Sequence, residues 1–183
     1  MLFPGGRLPL RLFEQRYLTM AKACLRDGTP FGVCAIREGK EVGAPAVPFE
    51  VGTTAKIAEW DMQQLGVLQI VAGGEARFRI LERRAQRDGL LVGRIEMLPA
   101  ESDGPIPATC EPAVRLLERV IAQHAELFPP PHHLQSAAWV SARLAEILPL
   151  PLPAKQELLE LDDARARLER VNALLRASAR EAS

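Results

Sequence analysis

The sequence predicts an α+β fold: an antiparallel barrel or curled sheet with one inserted helix, followed by a helical lobe. Three observations carry this expectation. Short apolar segments that alternate with polar residues recur between residues 7 and 98, bounded by Gly-containing turns, as in antiparallel sheets and unlike a parallel α/β sheet. Inside that region residues 14–25 change to helical spacing. Beyond a Pro/Gly/Ser stretch at 100–110, the apolar residues follow helical spacing throughout. The predicted organisation is a β-rich lobe over residues 1–99, a linker over 100–111 and a helical lobe over 112–183.

The first predicted strand lies across residues 7–12, within GRLPLRL. A helix then runs from Glu14 to about Leu25, with Tyr17, Met20, Ala21, Cys24 and Leu25 along one face, and Asp27-Gly28 ends it. PFGVCAI (30–36) is a compact run of strand formers, and VGTTAKIAEW (51–60) alternates. GVLQIVAGGEARFRILE (66–82) reads as a hairpin turning at Gly73-Gly74, since paired glycines supply the positive φ of a two-residue turn. Ala76, Phe78 and Ile80 are then expected on one face, with Arg77 and Arg79 on the other. LLVGRIEML (90–98) is the last strand, entered through Asp88-Gly89.

In the second part a helix is predicted from Pro112, a residue suited to a first helical position, to Leu127. A second spans about 135–148, a short third follows Pro153, and a fourth begins near Asp162-Asp163, whose carboxylates suit a helix N-terminus. The fourth reads as amphipathic, with Leu168, Val171, Leu174 and Leu175 inward and a charged outer face.

Composition narrows the function. Apolar residues make up 48% of 183, enough to bury a core in one domain or two small ones. Lys and Arg number 23 against 23 Asp and Glu, so no strong long-range field favours a nucleic-acid or acidic-membrane partner. Cys24, Cys34 and Cys110 are odd in number and lie in apolar stretches, which fits buried thiols in the cytoplasm. No apolar run is long enough to cross a membrane, and no signal peptide is read at the N-terminus.

The motifs of common chemistries are missing. There is no G-x-S-x-G elbow for a nucleophile, no C-x-x-C or H-E-x-x-H for a metal, and no phosphate loop, since GGR (5–7) and GGE (73–75) sit beside strands. His132 and His133 are neighbours, and adjacent side chains usually point apart. No catalytic residue, metal ligand or cofactor is therefore expected. Arg77, Arg79, Arg83, Arg84 and Arg87 make a local basic strip. Aromatic platforms for single-stranded nucleic acid are nearly absent beside it, so a solvated strand face is the preferred reading.

LFPGGRLPLRLFEQRYLTM resembles the N-terminal signature of the Lon protease substrate-binding domain: L-F-P, a short strand, then F-E-x-R-Y-x-x-M opening a helix. The resemblance continues through FGVCAI, EVG, VGTTAKI, GGEARFRI and DGLLVGRIEML, and resumes at LPLPLPAKQELLELDDARARLERV. It covers about residues 2–175. It implies a β-rich lobe resembling the PUA-like pseudo-barrel, then a helical lobe. It also implies a stand-alone member without the ATPase and Ser–Lys protease modules, since the sequence has no Walker A motif. Family members usually carry several more residues before L-F-P, so the expectation is either a start codon further upstream or a shorter sheet edge at the N-terminus.

The function this implies is non-enzymatic recognition of exposed apolar or unfolded polypeptide, through an apolar patch or a groove. RNA binding by analogy with PUA-like folds is the first alternative. A small hydrolase, which would need His124 or His132 near Cys110 or Glu111, is the second. The polar residues singled out for binding or structure are Arg16, Tyr17, Arg77 and Arg79. Arg16 is expected to bond backbone carbonyls or a carboxylate between helix and barrel.

Overall fold

The structure is a computed structural model that describes residues 1–40 and 46–181; the EVG piece of the resemblance, at 41–43, lies outside them. The chain forms two compact units, Met1–Leu98 and Pro99–Ser183.

The first unit is an antiparallel sheet with a helix on it. Its elements are β1 (Arg7–Leu12), α1 (Gln15–Asp27), β2 (Phe31–Val33), β3 (Ile36–Glu38), β4 (Val47–Pro48), β5 (Val51–Gln64), β6 (Val67–Ala85) and β7 (Leu91–Met97). The main sheet has the order β1-β6-β5-β2, with β7 also on β6, while β3 and β4 pair separately. β6 is the spine. One of its edges carries β5. The other carries β1, from Arg7↔Gly73 to Leu12↔Leu68, and then β7, from Phe78↔Met97 to Ala85↔Leu91. Among the described residues no pairing joins β2 back to β1 or β7, so the sheet is not a closed barrel.

α1 forms as its spacing predicts. Glu14 is its extended N-cap, and Gly28 closes it at φ 65°. The helix packs Ala21, Tyr17 and Leu18 against Leu12, Leu68 and Ile70 of the sheet. A second cluster joins Leu2 to Ala55 and Ala72. The first five residues of β5 are buried on both faces, beyond the one inward face the alternation predicts. Its hydroxyls find partners: Thr53 Oγ1 donates to Leu2 O at 2.8 Å, and Thr54 Oγ1 to Ala76 O at 3.1 Å.

The predicted hairpin at Gly73-Gly74 is corrected. β6 runs straight through both glycines, neither of which has positive φ; the turn between β5 and β6 uses Gly66, at φ 83°. Gly74 is needed for another reason. The N-terminal segment lies against it, with Gly5 N–H donating to Gly74 O and Gly74 N–H to Gly6 O, both at 2.9 Å. A Cβ on Gly74 would stand 2.3 Å from Phe3 O. Phe3-Pro4-Gly5-Gly6 turns the chain there: Gly6 N–H donates to Phe3 O at 3.0 Å, with Pro at the second position and a positive-φ Gly at the third, as a type II turn requires. The PFGVCAI segment also divides, into β2 and β3.

The second unit holds α2 (Glu111–Gln123), a 3₁₀ turn (Ala125–Leu127), α3 (Ala137–Ile147), α4 (Leu152–Glu160) and α5 (Ala164–Glu181). α2 thus stops four residues before the predicted Leu127. Leu117, Val140, Leu144, Leu158, Leu159, Leu168 and Val171 form the core. Ser136 caps α3, accepting from Trp139 N–H at 3.0 Å.

The segment expected as a linker is fastened to these helices. Ser102 N–H donates to Asp162 O, and Ala164 N–H to Ser102 O. Asp103 Oδ1 accepts from Ala138 N–H at 3.0 Å and from Gly104 N–H at 2.8 Å. Burial works to raise the Asp103 carboxyl, but hydrogen bonds from Ala138, Ser136, Gly104 and Ala137 outweigh it and hold the carboxyl below its ordinary value. α5 departs from the predicted charged outer face at one position. Arg167 is fully buried, where its Nη1 donates to Glu101 Oε1 at 2.6 Å and its Nε to Ser141 Oγ at 2.9 Å.

Candidate functional site

The four predicted polar residues do not form one site. Arg16 and Tyr17 stand at the start of α1. The Arg16 guanidinium is buried, at 6% exposure. Its Nη1 donates to Gly89 O at 3.0 Å, and its Nη2 lies 2.9 Å from Glu14 Oε2. The guanidinium carbon lies 4.8 Å from the Tyr17 ring centroid, within cation–π range. Arg16 therefore ties the helix start to the β6–β7 turn, through one carbonyl and one carboxylate.

Arg77 and Arg79 sit on β6, and the expectation of a solvated basic face fails at Arg77, which is 2% exposed. Arg79 is exposed but stands opposite Glu96 on β7. Arg94 of β7 pairs with Glu82 of β6 at 2.5 Å. Glu82 and Glu96 thus stand beside the strip, opposite Arg94 and Arg79.

The groups considered for a hydrolase each have other neighbours. His124 faces Glu126 at 3.7 Å, His132 Nε2 bonds Phe128 O at 2.7 Å, and Glu111 pairs with Arg115. His132 and His133 flank the Trp139 ring. Cys110 is fully buried, and burial pushes the Cys34 thiol up to about 11, far from an activated nucleophile. Among the described residues no three or more His, Cys, Asp or Glu side chains could hold a metal ion.

The surface that stands out is apolar, and sequence reasoning missed it. β5 and β6 form a long hairpin whose outer end carries Trp60, Met62 and Leu65, exposed at 61%, 48% and 95%. The register brings a fourth side chain to the same end. Leu12, the last residue of β1, pairs with Leu68, so the next residue, Phe13, falls level with the tip; it is 54% exposed. Four large apolar side chains at one sheet end go beyond the scattered single exposures normal for a surface. Phe13 belongs to the FEQRYL stretch, so the helix joint that Arg16 secures also presents this end.

The model of the ATP-dependent protease La (LON) substrate-binding domain matches residues 1–177. The chain belongs to this family. A solved Lon N-terminal domain protein from Xanthomonas campestris is 36% identical, covers 94% of this chain and 92% of its own, and superposes with a TM-score of 0.77. The Lon protease of Anaeromyxobacter dehalogenans is 29% identical over an alignment that covers 96% of this chain. The cereblon protein of Xenopus tropicalis is 34% identical over 112 residues. The chain spans 22% of that Lon protease and 24% of that cereblon. Within these 183 residues, then, is the Lon substrate-binding domain, which is not itself a catalytic module. The α+β Lon fold expected from the motifs is the fold observed. Among the described residues no helix is long and apolar enough to cross a membrane.

Proposed function

We propose that this domain binds exposed apolar segments of unfolded polypeptide, without catalysis, through the sheet end formed by Phe13, Trp60, Met62 and Leu65. The observation that carries the reading is the exposure of Trp60, Met62 and Leu65 at the outer end of the β5–β6 hairpin, with Phe13 exposed level with it by register, in a domain whose family is described by substrate binding. Apolar contact of this kind is non-directional and tolerant of sequence, as a recogniser of unfolded chains requires. The free thiols fit work in a reducing compartment such as the cytoplasm. RNA binding draws little support, because Arg77 is buried and Arg79 faces Glu96.

The test is retention of a reduced, alkylated model protein, with single-stranded and structured RNA in parallel. The unfolded protein is expected to bind with little dependence on salt, because apolar contact is not screened. Trp60→Ser with Leu65→Ser should weaken binding roughly tenfold or more, given about 1.5–3 kcal/mol for each large apolar side chain removed from a contact. Retention of RNA alone, released by salt, would overturn the reading.

A further inference from the structure

Among the described strands the outer edge of β7 has no partner, and its charge pattern complements itself. Leu98 N–H donates to Arg77 O at 3.0 Å, and Leu90 O accepts from Gln86 N–H at 2.8 Å. Even-numbered residues of β7 therefore turn their backbone toward β6. The odd-numbered ones, Leu91, Gly93, Ile95 and Met97, turn their N–H and C=O groups outward. β7 pairs with β6 alone among the described strands. It has no Lys and no Pro, two of the devices that commonly blunt an edge. Leu91, Ile95 and Met97 lie on one face, exposed at 37%, 42% and 51%; Arg94 and Glu96 lie on the other.

We propose that β7 is the seam of a two-fold dimer, pairing antiparallel with β7 of a second copy in a register centred on Ile95. Here Ile95 faces its counterpart, Gly93 faces Met97, and Arg94 faces Glu96. Each odd-numbered pair exchanges both backbone bonds. The charges select this register. Centring on Arg94 sets two guanidiniums face to face, and centring on Glu96 sets two carboxylates, both destabilising. Centring on Gly93 sets Arg94 against Val92. With Ile95 at the centre, the existing pairs Glu82–Arg94 and Arg79–Glu96 line up as Glu82, Arg94, then Glu96 and Arg79 of the second copy. Sign alternates across four strands, twice by symmetry. On the opposite face, Ile95 and Met97 of both copies form one apolar strip, and Met97 packs over the side-chain-free Gly93. This surface is separate from the sheet end carrying Phe13 and Leu65, and the inference does not rest on the binding reading.

Sedimentation equilibrium of the whole chain tests it. The wild type is expected to dimerise. Arg94→Glu, which sets carboxylates opposite one another in two places, should raise the dimer dissociation constant roughly tenfold or more. Adding Glu96→Arg should restore it. Ile95→Pro removes an outward N–H without touching a bond to β6 and should also give monomer; circular dichroism checks that both variants stay folded. Ile95→Cys should form a disulfide between copies under oxidation, mapped by mass spectrometry, and Leu91→Cys should not. A wild type that is monomeric up to high concentration overturns the proposal. So does a dimer unmoved by Arg94→Glu that forms no Ile95→Cys link, and so does an edge filled by a strand of another protein in place of a second copy.

Discussion

At position 16 the guanidinium meets three different neighbours: the Glu14 carboxylate, the Gly89 carbonyl and the Tyr17 ring. Removing it strands buried polar groups, which costs more than the bonds themselves contribute. Arg16→Ala should lower stability by about 1–3 kcal/mol; an unchanged melting temperature would count against this. Arg167 presents the same problem more acutely. It is fully buried and ion-paired with Glu101. Glu101→Gln leaves that charge without its carboxylate and should cost about 3–5 kcal/mol, read as a fall in the denaturant midpoint. The two arginines differ in how readable they were. Arg16 has its carboxylate two residues away in a compact motif, so its role could be reasoned from FEQRYL. Arg167 finds Glu101 66 positions distant, and helical periodicity gives no sign of a partner so remote.

Among the elements, the bounds of α1 were legible because its spacing, its acidic N-cap and Asp27-Gly28 agree, although Leu25 of the predicted face is exposed and Leu18, outside that face, packs on the sheet. β6 was not. A pair of glycines between apolar runs looks like a hairpin turn, and in sequence nothing separates that from a strand crossed closely by another backbone. The distinction is testable. Gly74→Ala would drive a Cβ to 2.3 Å from Phe3 O, whereas a Cβ on Gly73 meets nothing nearer than 3.9 Å. Thermal denaturation should therefore show a loss of several degrees for Gly74→Ala and little change for Gly73→Ala. A two-residue turn would make both positions sensitive, since both would need positive φ. The short β3–β4 pair, three and two residues long, offers no alternation to detect. In the helical unit, the Pro/Gly/Ser composition of 100–110 suggested a tether. Its polar side chains instead serve α3 and α5, with Asp103 at one helix N-terminus and Glu101 on Arg167.

At the scale of the molecule, the units Met1–Leu98 and Pro99–Ser183 carry different apolar periods in the sequence, and the family followed from short motifs in order. The candidate site did not follow from either. Phe13, Trp60, Met62 and Leu65 are spread over 53 positions, and alternation alone cannot tell which apolar residues reach an open end. Register decides it: the pairing of Leu12 with Leu68 and the position of the turn at Gly66 bring them level. A turn at Gly73-Gly74, as the sequence suggested, would have put the hairpin's end there and left Leu65 in the segment between two predicted strands. The most direct measurement is hydrogen–deuterium exchange of the whole chain with and without a bound reduced, alkylated protein. New protection is expected at Phe13 and at residues 60–67, with the helical unit unchanged. Protection confined to the helices, or to the arginines of β6, would contradict it.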